Sequence, residues 1–143
     1  MILFENSIVR LNYDPGTDIL EVAYPDLHGY LLPEIKHTIN KMVDIIKNYD
    51  VKKLLLDSTQ TIISVGEEES REISMYLAAG LSRTRLQKVA RLQSSSEGVE
   101  KVSERNIEQI KAAQQLPFAL RNFRAKAEAL DWLKADQSSS APA

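Results

Sequence analysis

Two short runs rich in strand formers open the pattern, Ile8-Val9-Arg10-Leu11-Asn12 and Ile19-Leu20-Glu21-Val22-Ala23. Between them lies Asp14-Pro15-Gly16-Thr17, where Pro15 presets φ at the first central turn position and Gly16 accepts a positive φ at the second. This arrangement predicts an antiparallel hairpin. From Leu32 the period lengthens: Ile35, Ile39, Met42, Val43 and Ile46 share one helical face with Pro33 in the first turn, so a helix is expected from about Pro33 to Asn48. Val51-Lys52-Lys53-Leu54-Leu55-Leu56-Asp57 is a compact apolar run closed by a carboxylate, the pattern of a central strand covered on both faces.

The connection from Ser58 to Gly66 leads into Glu67-Glu68-Glu69, negative charge suited to the positive end of a helix dipole. Ile73, Leu77 and Leu81 then fall in line, and Arg83 and Arg85 complement the far end. Leu86 to Leu92 predicts another strand, less apolar because of Lys88 and Arg91. Ser94-Ser95-Ser96-Glu97 offers hydroxyl caps, with Ser94 and Glu97 at capping-box spacing, for a helix carrying Val99, Val102, Ile107 and Ile110 that stops at Pro117. Phe118 to Phe123 reads as a last strand. Lys126 to Ala135 reads as a last helix burying Ala127, Leu130 and either Trp132 or Leu133. The order ββαβαβαβα predicts an α/β fold: a single small open sheet, an N-terminal antiparallel hairpin, then alternating helices and mostly parallel strands. Residues 1–135 are expected to form one domain, and 136–143 a disordered Ser/Ala/Pro tail.

Composition narrows the function classes. With 18 basic and 20 acidic residues in 143, the net charge of -2 supplies no basic excess for phosphates, so no nucleic-acid partner is expected. At 43% hydrophobic the chain can build a packed core. It holds no cysteine, which removes disulfides, thiolate zinc sites and Cys nucleophiles. The start lacks a basic segment followed by a long apolar one, and no apolar run approaches the ~18 residues of a membrane span, so a cytoplasmic protein without membrane insertion is expected. No nucleophile elbow, P-loop or dinucleotide glycine fingerprint occurs, hence no cofactor and no catalytic role are expected. His28 and His37, with Asp26 and Glu34 nearby, lack metal-ligand spacing and are expected as independent surface groups. Arg83, Arg85, Lys88 and Arg91 form the one basic concentration; without interleaved aromatics it is expected to be a solvated face.

With this element order, Leu54-Leu55-Leu56-Asp57-Ser58, the acidic helix start and Ala129-Leu130-Asp131-Trp132-Leu133 give the chain a resemblance to the STAS-like group. That group comprises sulfate-transporter and anti-sigma-factor-antagonist domains and bacterial stand-alone STAS or Sec14-type proteins. The resemblance implies a small open sheet with packed helices and non-enzymatic regulation through protein contacts. In some members it also implies a phosphorylated serine in an Asp-Ser-Ser/Thr-Gly stretch. Here Ile63-Ser64-Val65-Gly66 is the nearest match: Ser64 and Gly66 are retained, while Ile63 and Val65 replace the acid and the second hydroxyl. Asp57-Ser58-Thr59 matches in composition but lies at a strand end.

Two site regions follow. Asp57, Ser58, Thr59, Ile62, Ile63, Ser64 and Gly66 form a candidate interaction or regulatory surface, because open α/β sheets present binding groups at carboxyl strand ends and Ile62 and Ile63 are adjacent apolar loop residues. Ser94, Ser95 and Ser96 form a candidate anion loop, also read as plain helix caps. The leading expectation is a regulatory module with a protein partner, and Tyr76, Leu77 and Leu81 suggest a homodimer. The alternative is a small-molecule or lipid carrier, which needs an apolar cavity of about 300 Å³ or more.

Overall fold

A computed structural model describes residues 2–6, 8–23, 30–61, 65–113 and 116–135. Ile62, Ile63, Ser64, His28, Asp26 and the tail at 136–143 lie outside the described residues. The elements run β1 (Ile2–Glu5), β2 (Arg10–Asp14), β3 (Ile19–Ala23), α1 (Leu32–Asn48), β4 (Lys53–Asp57), α2 (Glu67–Leu81), β5 (Lys88–Leu92), α3 (Glu97–Ala113), β6 (Ala119–Phe123) and α4 (Lys126–Lys134). The six strands lie in one sheet in chain order, β1-β2-β3-β4-β5-β6. The first three pair antiparallel, and β3 to β6 pair parallel. The α/β class, the hairpin and the later alternation are those the sequence predicts; β1 is an additional edge strand that it does not.

Right-handed crossovers between successive neighbouring strands place their helices on one face of a sheet. Accordingly α1 packs on α2 and α2 on α3, while α4 packs on β4, β5 and β6. The core divides the same way. Leu11, Leu20, Val22, Leu54, Leu56 and Val89 face the three-helix layer with Ile35, Ile39, Met42, Val43 and Ile73. Ile19, Leu55, Ala90, Leu92 and Phe123 face α4 with Ala129 and Leu133. In α4 the expected burial of Ala127 is overturned: Ala127 is exposed, Leu130 and Trp132 are half-buried, and Ala129 and Leu133 fill the contact. The inward stripe runs through Ala129 and Leu133, four residues apart.

The hairpin turn also differs from the Pro-Gly expectation. No described glycine has positive φ; the left-handed residue is Asp18, at φ 57°. Asp14 explains the shift, since its carbonyl accepts from Thr17 N–H at 3.3 Å and its Oδ1 from Gly16 N–H at 3.0 Å. That closes the turn over Pro15 and Gly16 and leaves the reversal to Asp18, a residue type that tolerates it. Asp18 then ties the hairpin to the sheet, because its Oδ1 accepts from Tyr13 Oη at 2.7 Å and its Oδ2 from Lys52 N–H at 3.2 Å. At the end of α1, Asp50 takes φ 52°. Val51 N–H reaches Ile46 O at 3.0 Å and Asp50 N–H reaches Lys47 O at 3.3 Å, the pairing of a Schellman stop.

Gly80 sets the approach of α2 to α1. A Cβ there would stand 2.9 Å from Val43 Cγ2, closer than packed carbons tolerate. Gly80→Ala gains helix propensity but overpacks this crossing, so a net loss of about 1 kcal/mol is expected in urea denaturation. The loss should shrink in a Val43→Ala background. Tyr13 supplies a pH prediction: burial first, then its bond to Asp18 and the Asp18, Asp14 and Asp50 charges, push its phenol up to about 12. The folded state therefore holds this proton more tightly than the unfolded state, and the associated stability is complete below about pH 10 and is lost as pH rises toward 12. Between those values the urea midpoint should fall further for the native chain than for Tyr13→Phe.

Candidate functional site

Between the sheet and the α1–α3 layer lies a cavity of about 180 Å³. Its walls come from every element around it: Val22, Leu56 and Val89 from the sheet, Ile35 and Ile39 from α1, Ile73 and Leu77 from α2, and Ile107 and Ile110 from α3. The local cause of the space is the inner stripe of α2. Ser70, Ser74 and Ala78 recur at four-residue spacing and put small side chains where larger ones would reach the sheet.

Most of the polar wall gathers at the seam of α2, α3 and β5, with Thr38 of α1 and Thr61 of the loop after β4 lying outside it. Asn106, only 4% exposed, donates through Nδ2 to Ser70 Oγ at 3.0 Å and Ser74 Oγ at 3.4 Å, joining α3 to α2. Arg91 points from β5 toward α3, where Nη1 and Nη2 donate to the two Glu100 carboxylate oxygens at 2.9 Å each. Nη2 also donates to Ser103 Oγ at 3.1 Å. The two charged side chains are 8% and 14% exposed, so this bidentate pair is desolvated and held by geometry. Glu100 further accepts the Ser94 backbone N–H, locking the start of α3 to the end of β5.

Of the sequence-derived site residues, Asp57, Ser58, Thr59, Gly66, Ser94, Ser95 and Ser96 lie within the described residues, and Ile62, Ile63 and Ser64 outside them. Asp57 closes an Asx turn: its Oδ1 accepts from Thr59 N–H at 3.0 Å and Thr59 Oγ1 at 2.6 Å. Ser58 is buried and donates to Leu92 O, and buried Ser94 donates to Thr61 O, so the loops after β4 and β5 are cross-tied. Gly66 is the exposed N-cap of α2 and makes no side-chain cap bond. Ser95 is exposed. Ser96, rather than Ser94, caps α3, its Oγ accepting from Val99 N–H at 3.3 Å; Ser94 is drawn inward by Thr61 and Glu100. The structure thus brings Ser58, Thr61 and Ser94 together and leaves Ser95 and Gly66 at the surface.

The expected solvated basic face is corrected. Arg83 and Arg85 are exposed beyond the end of α2, whereas Lys88 and Arg91 are buried on opposite faces of β5. Lys88 lies on the α4 side, where Nζ donates to Trp132 O at 2.7 Å and sits 5.0 Å from the centroid of its ring. Burial, and secondarily Lys53, hold the Lys88 ammonium below the usual lysine range. His37 is exposed on α1, and no His/Cys/Asp/Glu group among the described residues could hold a metal. Tyr76 and Leu77 pack against the core and Leu81 is buried; Tyr76 Oη donates to Asn40 at 2.7 Å. None of the described helices is long and apolar enough to cross a membrane. Comparison with protein-family models, with curated proteins and with solved structures returns no match.

Arg91, Glu100, Ser70, Ser74, Ser103 and Asn106 escape a reading by element type alone. Their signal is a charge in the middle of a strand, followed nine residues later by a carboxylate in the first turn of the next helix. Truncating one member of this pair leaves the other charge buried. Glu100→Ala is therefore expected to cost about 3 kcal/mol in urea denaturation. Glu67→Ala, which breaks the exposed 2.7 Å pair with Arg105, should cost under about 1 kcal/mol.

Proposed function

We propose that this chain is a non-catalytic binding protein that takes one small, largely apolar molecule into the cavity beneath α1–α3. The cavity itself carries the reading: about 180 Å³, walled mainly by aliphatic side chains, with most of its polar groups at one seam and the Thr38 and Thr61 hydroxyls elsewhere in the wall. That volume is below the roughly 300 Å³ of a drug-sized site. It exceeds the roughly 150 Å³ that admits benzene in an apolar protein interior. The occupant is accordingly a single ring or short branched chain rather than a long acyl tail, which narrows the carrier expectation. Among the described lining residues Arg91 is the one ionisable side chain, and a paired guanidinium neither gives nor takes a proton near neutral pH. A role in binding fits that wall better than acid–base chemistry does.

Regulation through protein contact, as the STAS-like resemblance suggests, is a second reading supported by the position of the loop after β4. Thr61 and Val65 line the cavity while Asp57, Thr59 and Gly66 occupy the outer part of the same connection. An occupant would touch the segment that the sequence offers to a partner.

The test is a benzene titration followed by NMR. Saturable shifts are expected at the methyl groups of Leu77, Val89 and Ile107. Ala78→Leu, which fills the space, should remove them while raising stability by about 1 kcal/mol. A native chain that shows no saturable shift with benzene would overturn the reading.

A further inference from the structure

Resting on the cavity reading above, the hydroxyls of its polar seam narrow the chemistry of the occupant. Ser103 Oγ receives a hydrogen bond from Arg91, whose guanidinium has donors only, so the serine oxygen is the acceptor in that contact. Ser70 Oγ and Ser74 Oγ receive theirs from Asn106 Nδ2. All three serines line the cavity. Each has accepted a bond through oxygen and keeps its own hydroxyl proton to give. Elsewhere in the chain hydroxyls spend that proton on a nearby carbonyl, as Ser82 does on Ala78 O at 2.8 Å and Thr84 on Leu81 O at 2.6 Å. Ser70, Ser74 and Ser103 make no such bond among the described residues. The wall therefore offers hydrogen-bond donors to whatever fills the space, beside aliphatic groups that offer none.

Charge decides between a neutral acceptor and an anion. The Arg91 guanidinium is matched on two nitrogens by Glu100, so the seam carries no net charge. A carboxylate entering here would shed its water beside an Arg91 guanidinium already matched by Glu100, with no unmatched cation among the described residues of the wall to offset that cost. A carbonyl oxygen accepts the same serine protons at a much smaller desolvation cost. We infer that the cavity is built for a small neutral molecule with a carbonyl-type acceptor on an apolar body, such as a ketone, ester or amide, held by Ser70, Ser74 and Ser103.

Three probes of nearly one shape test this: acetophenone, which has the acceptor; ethylbenzene, which lacks it; and benzoate, which carries it as an anion. Binding to the full chain is measured by NMR titration. One to two hydrogen bonds at about 1 kcal/mol each predict that acetophenone binds at least about fivefold more tightly than ethylbenzene, with benzoate the weakest. In the Ser70→Ala, Ser74→Ala, Ser103→Ala triple variant, checked for a native spectrum, acetophenone and ethylbenzene should converge. Equal binding of these two by the native chain overturns the inference and leaves the apolar-ligand reading intact. Tightest binding by benzoate overturns the charge argument and with it the neutral class. Failure of all three probes, and of benzene as well, removes both the inference and the reading beneath it. The native-chain comparison decides the matter even if the triple variant does not fold.

Discussion

Three parallel crossovers that join neighbouring strands, taken in one direction along a sheet, stack their helices on one face. Most of this molecule follows from that constraint. With β3 to β6 in chain order, α1, α2 and α3 form a contiguous layer, and α4 alone is left for the other side. The antiparallel strands at the opposite end have one face without a helix, so β2 alternates exposed Arg10, Asn12 and Asp14 with buried Leu11 and Tyr13. A layer of three helices must settle its own contacts before it can close on the sheet. Gly80 against Val43 sets one seam, and Asn106 between Ser70 and Ser74 sets the other. The cavity is what those two seams leave beneath α2.

The elements were legible in the sequence where one period dominates a long stretch. Ile35, Ile39, Met42, Val43 and Ile46 mark α1, and the Leu54-Leu55-Leu56 run marks a strand buried on both faces. The parallel arrangement followed from alternation alone. β1 was not legible, because a four-residue edge strand is specified by its pairing with β2 rather than by its own pattern. The turn departs from its pattern for a similar reason: Pro-Gly is a local signal, while Asp18 is fixed by bonds to Tyr13 and to the Lys52 N–H, thirty-four positions along the chain.

The site was legible only at its rim. Asp57, Ser58 and Ser94 stand at strand ends, and there Asp57 closes its own turn while Ser58 and Ser94 tie the two loops together. The cavity itself is three-dimensional. Ser70, Ser74 and Ala78 read along the chain as unremarkable helix residues, and their meaning appears only when α2 is laid over Leu56 and Val89. Charge misled most directly. Lys88 and Arg91 belong by sequence to a basic cluster with Arg83 and Arg85, yet strand alternation over a fully buried strand sends them to opposite layers. Each then finds the partner that only the fold supplies, the end of α4 for Lys88 and Glu100 for Arg91.

A hydrophobic pair in place of Arg91 and Glu100 could pack the same seam at no loss of stability, since a buried ion pair seldom exceeds well-packed apolar groups. What it could not do is fix orientation. The bidentate geometry sets the register of α3 against β5, and the same carboxylate holds the Ser94 N–H. The same guanidinium occupies the Ser103 oxygen and so leaves its proton for the cavity. Hydroxyls at 70, 74 and 103 likewise add little to a core that larger apolar side chains could fill, and they forgo the burial such side chains would contribute. Charge matched within the seam, donors left over at its surface and space beneath a stripe of small residues are three separate departures from a densely packed core. They coincide at one place, and a core shaped by stability alone gives no reason for them to do so.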